Sequence, residues 1–196
     1  MTPVDLNVYG ESLCPDTMNF IYGQWAPTYV RLGHKYMKIK YISYGLTQRK
    51  YKDFKWTFTC QHGEEECLGN KLHACVVKAL DRVPELWLDF LNCYAFEYLA
   101  GPAATFNMQK AAQYCCSKQL LDFKLIWDCA NGELGTLLLV DYGKETDELD
   151  PKLTSTPWIA VNGVHNDTIQ SQAITDLPGL ICSYFPPAEE PKACQE

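Results

Sequence analysis

Ten cysteines, spread from Cys14 to Cys194 along 196 residues, constrain this chain more than any other feature. They are Cys14, Cys60, Cys67, Cys75, Cys93, Cys115, Cys116, Cys129, Cys182 and Cys194. Such usage is unusual in a reducing cytosol and ordinary in a secreted or endomembrane protein, so it predicts a disulfide framework. Asn166-Asp167-Thr168 is an N-glycosylation sequon and fits the same compartment, with Asn166 as the acceptor. The start, Met1 to Asp5, is neither basic nor strongly apolar, so no signal peptide is expected in it. The chain therefore reads as the mature part of a secretory-pathway protein. Its length suits one well-buried core.

The net charge of -7 argues against a nucleic-acid partner. The two mildly basic stretches, 35–40 and 49–52, read as a solvated strand and a loop. No apolar run approaches membrane-spanning length, and the greasiest, 134–140, lies between Glu133 and Asp141.

Residues 4–9 alternate apolar and polar, as a half-buried strand does. A helix follows over 18–32, with Pro27 either kinking or splitting it. Residues 38–44 alternate again, and Gly45 ends them. Strand, helix and strand make a βαβ unit with a right-handed crossover. Residues 55–59 form a short extended piece. Leu68, Leu72, Cys75, Val76, Ala79 and Val83 then recur at helical spacing. Further helices are predicted over 86–99, over 108–121 with Asn107 as N-cap, and over 123–142 with a break at Asn131-Gly132. Residues 158–161 form a strand, and Asn162-Gly163 is a strong hairpin signal that predicts a short return strand through Val164 and His165. A helix over 169–184 closes the fold, with Pro178-Gly179 as an interruption.

The order βαβ, helices, ββα predicts an α/β fold with a four-stranded mixed sheet and a helical, disulfide-bonded insertion between its halves. The expected boundaries are one domain over 1–196, with a core of about 3–54 and 154–185, an insertion of about 55–150 and a tail of 186–196.

Three stretches carry chemistry. Cys14 lies between the first strand and the first helix. Unpaired backbone N–H groups and the helix dipole stabilise a thiolate there. It reads as a nucleophile, a structural half-cystine or an inert thiol. Asp16 opposes activation by its charge, and the Thr17 hydroxyl suits a helix cap. The second stretch runs from Cys60 to Cys75. Read for metal, Cys60, His62, Cys67 and Cys75 supply a three-sulfur, one-imidazole set. The spacing is not that of common zinc modules, and an oxidising compartment favours disulfides. His62 or His73 reads either as a base or as a surface or capping histidine. The third stretch is Thr156-Pro157-Trp158, with a proline at the first residue of a strand.

Together these residues resemble a known family. Cys60, Gln61, His62, Gly63, Glu66, Cys67, Asn70 and Cys75 match every fixed position of the signature of the gamma-interferon-inducible lysosomal thiol reductase family. Residues 4–32 fit its strand, redox stretch and helix. Thr156-Pro157-Trp158 with Val161-Asn162-Gly163 fits a second segment, and Cys182 and Cys194 fit its C-terminal cysteines. The resemblance implies a thioredoxin-like fold, a cis Pro157 packed beside the redox stretch, and reduction of protein disulfides in acidic lysosomes. No cofactor and no resident metal are expected. That activity rests on a Cys-x-x-Cys pair, and here the pair is Cys14 and Thr17. The chain is similar to secreted arthropod members with altered redox motifs. It keeps the attacking cysteine and lacks the resolving one.

The expectation is a secreted or lysosomal protein with weak or absent reductase activity that acts mainly by binding partner proteins. The alternative is a monothiol oxidoreductase that uses Cys14 and an external thiol on disulfide-bearing proteins. The family pattern has one cysteine where this chain has Cys115 and Cys116. Four disulfides among the others would leave Cys14 and one of that pair unassigned, the latter a candidate for releasing Cys14.

Overall fold

The computed structural model of the chain describes residues 2–195. Its centre is β1 (Val4–Gly10), flanked on one side by β2 (Met37–Ser43) in parallel and on the other by an antiparallel strand, Trp158–Val161. Val4, Leu6 and Val8 put every second side chain into one buried face. The crossover from β1 to β2 covers that face. It is one helical run in three parts: α1 (Pro15–Phe20), a π turn over Ile21–Trp25, and α2 (Ala26–Leu32). Pro27 does not end the run but lies in the first turn of α2, just after the π turn that divides it. Its missing N–H is absorbed by the π turn, where the Ala26 N–H reaches back to the Ile21 carbonyl. Met18, Ile21, Trp25, Tyr29 and Leu32 enter the core, and Gly33, at φ 74°, ends the run.

After β2 the chain makes a hairpin that the sequence reading treats half as loop. β3 (Gln48–Lys52) pairs antiparallel with β4 (Lys55–Thr59), apart from the main sheet. Five helices follow: α3 (Glu64–Ala79), α4 (Pro84–Leu99), α5 (Met108–Lys118), α6 (Phe123–Asn131) and α7 (Glu133–Asp147). Asn107 caps α5 by accepting from the Lys110 N–H at 2.9 Å. α7 lays Leu139 on the second face of the sheet, against Tyr9, Ile42, Tyr44 and Trp158.

Disulfides bind the helices. Cys60–Cys67 closes the turn into α3, Cys75–Cys129 joins α3 to α6, and Cys93–Cys115 joins α4 to α5. Cys182–Cys194 ties the C-terminal residues to the last helix. Cys14 and Cys116 are free, so Cys116 drops out of the disulfide set.

The last strand is β5 (Trp158–Val161), and the last helix is α8 (Asp167–Cys182). The expected four-stranded sheet has three strands. Asn162-Gly163 does turn the chain, at φ 49° and 77°, but the return is a single bridge from Val161 to Val164. Only His165 then remains before Asn166, which caps α8. His165 stacks on Trp158 instead of extending a strand. Within α8 the break falls at Asp176, before Pro178, and its Oδ1 accepts from the Gly179 N–H at 3.0 Å.

Candidate functional site

The four residues after β1 are held one by one, each by a different element. At Gly10 a Cβ would meet Thr17 Cγ2 at 2.6 Å, so glycine lets α1 close on the strand. Glu11 is fully buried, and its Oε1 accepts from the Leu46 N–H at 2.7 Å. Gly45, at φ 54°, lies against that carboxylate, where a Cβ would come within 2.4 Å of Glu11 Cγ. The Ser12 N–H donates to Asn70 Oδ1 at 2.8 Å, and Ser12 Oγ donates to the Glu66 carbonyl at 3.1 Å. The Leu13 carbonyl accepts from the Tyr98 hydroxyl at 2.9 Å.

Cys14 is thereby placed at the N-cap of α1, with extended backbone and Pro15 as the first helical residue. It is 6% exposed. The Thr156–Pro157 bond is cis, and Thr156 presents two groups to the sulfur. Its carbonyl lies 3.7 Å from Cys14 Sγ, and its hydroxyl lies 3.3 Å away. The same hydroxyl is 3.2 Å from Glu11 Oε2. A hydroxyl has one proton, so it donates to one of these acceptors at a time. With a thiol, the S–H points to the Thr156 carbonyl and the hydroxyl serves Glu11. With a thiolate, the hydroxyl turns to the sulfur. Burial first, and then the neighbouring Glu66 carboxylate, push the Glu11 carboxyl above the usual range, while the Leu46 N–H, the Thr156 hydroxyl and His62 pull it back.

Thr17 is fully buried one helical turn after Cys14. It does not cap the helix. Its Oγ1 accepts from the Glu11 N–H at 3.4 Å and braces the loop. Asp16 is exposed in the first turn.

Most of the signature residues form the floor beneath this loop. Gly63 takes φ 90° at the N-cap of α3, where any other residue is strained, although nothing crowds it. Glu66 is buried and accepts from the His62 N–H at 3.0 Å, with His62 Nδ1 at 2.6 Å from its other oxygen. Asn70 accepts from Ser12 and from Ser43 Oγ and donates to Thr47 Oγ1, which touches Cys60 Sγ at 3.3 Å. Gln61 is exposed, and Cys75 faces α6 rather than the loop. The zinc reading fails because Cys60, Cys67 and Cys75 are all half-cystines. Donor atoms of Glu11, His62 and Glu66 lie within 4.8 Å of one another, but hydrogen bonds inside the chain already close that set.

Cys116 is fully buried on α5, and burial pushes its thiol up to about 11. Cys115 is bonded to Cys93, so neither is poised to release Cys14. Asn166 is exposed, and the atom that caps α8 is its oxygen, not the nitrogen that would carry a glycan.

Glu11, Tyr98 and the Thr156 hydroxyl escape the sequence reading, because nothing local marks a carboxylate or tyrosine as buried against a loop. A groove of about 450 Å³ opens beside the cysteine, lined by Asp16, Asn19, Phe20, Gln24, Pro157 and Ile174 among others.

Comparison with known proteins gives the following. Residues 5–119 match the family model described as Gamma interferon inducible lysosomal thiol reductase (GILT). The Gamma-interferon-inducible lysosomal thiol reductase of Carassius auratus is 34% identical over 197 residues, covering 98% of this chain and 72% of that protein. GILT-like protein 1 of Drosophila melanogaster is 30% identical over 201 residues, covering 98% and 79%. Among solved structures, oxidised BdbD from Bacillus subtilis superposes with a TM-score of 0.62 at 14% identity, over 90% of this chain and 89% of that one. That likeness establishes a thioredoxin-like fold.

Proposed function

The chain belongs to the gamma-interferon-inducible lysosomal thiol reductase family, and from that premise we propose that it works with a single cysteine, capturing disulfide-bearing proteins rather than turning them over. The observation that carries this reading is a free Cys14, held at a helix N-terminus under Thr156, with a buried, hydrogen-bonded Thr17 one turn on.

The Cys14 thiolate attacks one sulfur of a partner disulfide. A new bond forms between Cys14 Sγ and that sulfur, the old S–S bond breaks, and its second sulfur leaves as a thiolate that takes a proton. The Thr156 hydroxyl lies within hydrogen-bond reach of the attacking sulfur. In a dithiol enzyme a second cysteine displaces the partner at high effective concentration. Thr17 cannot do so. The adduct persists until an external thiol attacks Cys14 Sγ or the partner sulfur, and a second equivalent completes the two-electron reduction. Reductase turnover is therefore weak and depends on the external thiol, and holding partners is the main action.

The groove beside Pro157 suits an extended partner segment laid against the cysteine, which is otherwise nearly covered. Four disulfides support a secretory-pathway setting, and the names of several relatives include the word lysosomal. No helix among the described residues is long and apolar enough to cross a membrane.

The test is adduct trapping. Purified protein is mixed with insulin at mildly acidic pH, quenched with acid and resolved without reduction. Wild type gives an adduct that glutathione releases, and Cys14→Ser gives none. Rapid reduction of insulin without an external thiol, or an adduct that survives in Cys14→Ser, sinks the proposal.

A further inference from the structure

The β3–β4 hairpin breaks three local rules at one place, and the Cys14 site uses none of it. Its turn is Asp53-Phe54, with both residues at positive φ, 52° and 59°. Such a turn ordinarily takes Asn-Gly or Asp-Gly, and a bulky aromatic in the left-handed region is an outlier. Phe54 is also 95% exposed, so no packing repays its conformation. Immediately behind it, Lys52 and Lys55 stand directly opposite each other, and like charges so placed destabilise a strand pair.

The rest of the hairpin extends this pattern. Residues 48–59 hold four cations against one carboxylate, in a chain whose net charge is -7. Lys50, Lys52 and Lys55 share one face, while the tilted rings of Tyr51 and Trp56 meet at 4.9 Å on the other. Arg49 is committed to Asp147 at 2.7 Å, and Lys52 lies 4.0 Å from Asp53. Lys50 and Lys55 form no ion pair among the described residues. Lys71 extends the basic surface over Phe58, and burial first, then Lys55, pushes its ammonium down. Lysines alone would be explained as protection of an exposed strand edge. That function has no use for a phenyl ring at the tip.

We propose that this hairpin docks the protein on an anionic lipid bilayer, with Phe54 entering the acyl boundary and Lys50, Lys52 and Lys55 lying among the headgroups. The arrangement is an apolar tip ringed by long cationic side chains, whose stems reach into the interface while the ammonium groups stay at the phosphates. Charge complementarity selects anionic lipid, because each lysine near such a surface adds a similar increment of binding. One phenyl ring and three lysines give weak, reversible and salt-sensitive attachment. The unfavourable turn serves the attachment by holding the ring away from the body of the protein.

The experiment is co-sedimentation of the full, oxidised chain with phosphatidylcholine vesicles, with and without phosphatidylserine. Wild type should bind the phosphatidylserine vesicles and dissociate as salt rises. Removing lysines in Lys52→Gln/Lys55→Gln should lower partitioning about fivefold per lysine. Phe54→Gly should lower it about tenfold without lowering the thermal midpoint, because glycine prefers that backbone. Phe54→Asn, which also tolerates positive φ, guards against a fold defect. Equal wild-type binding to neutral and anionic vesicles overturns the proposal, as does full binding by a folded Phe54→Gly.

Discussion

His73 makes the protein less stable in acid, by an amount its surroundings fix. The residue lies on α3, fully buried, with neither ring nitrogen partnered. Its ring meets the edge of Tyr94 at 4.5 Å, with Tyr41 at 6.0 Å and Phe90 at 6.4 Å. Burial alone holds its pKa down to about 3, against 6.5 in an exposed histidine. Near pH 5 the folded protein therefore leaves His73 neutral, while the unfolded chain binds a proton there. Stability falls as pH drops below 6.5 and goes on falling toward 3. At about pH 5 the loss relative to neutral pH is about 2 kcal/mol. His73→Phe replaces the imidazole by a ring that cannot titrate and suits its aromatic neighbours. Urea denaturation at neutral pH and near pH 5 measures the effect. The stability gap between the variant and wild type should widen by about 2 kcal/mol at the lower pH. Phe is slightly larger, so His73→Leu serves as a second variant free of overpacking. A gap that is the same at both pH values would refute the reasoning, because it would mean that the native state accepts the proton.

Two further expectations follow from the loop around Cys14. Thr17→Cys restores a resolving thiol. It should cut the yield of trapped adduct and raise insulin turnover at least tenfold, at a stability cost of about 1 kcal/mol for the lost methyl packing on Gly10 and the lost hydrogen bond to Glu11, as turbidity and urea midpoints will report. Gly69→Ala puts a Cβ 2.3 Å from Ser12 Oγ and 3.1 Å from Met108 Sδ, so Ser12 must move off Glu66. A loss of about 1–3 kcal/mol is expected by denaturation, and an unchanged midpoint would show that the loop yields freely.

Legibility in the sequence followed the range of the forces. The strand at 4–10 and the helices of the middle third are marked by periodic burial, which any window of residues displays. Asn107 advertises its cap because capping is a contact across three residues. The hairpin at 48–59 is hidden, since Gln48 to Lys52 has no apolar alternation and its turn lacks the usual Asn-Gly. The expected fourth strand is absent among the described residues for the opposite reason: the turn at Asn162-Gly163 is genuine, but the cap at Asn166 leaves no length for a strand. At the site, Cys14 and Pro157 stand out by residue type. Glu11 does not, because its burial depends on Gly45 and Thr156, and nothing within a few residues of it signals either.

Thr156 lies 142 residues after the sulfur it faces. Synthesis proceeds from the N-terminus, so Cys14 is made well before Thr156. During that time neither its hydroxyl nor its carbonyl is available to the cysteine, and β1 lacks its antiparallel neighbour. The eight cysteines of the four disulfides emerge before or soon after residue 156. Pairing of the helical cysteines can therefore begin before Cys14 has either group of Thr156 against its sulfur.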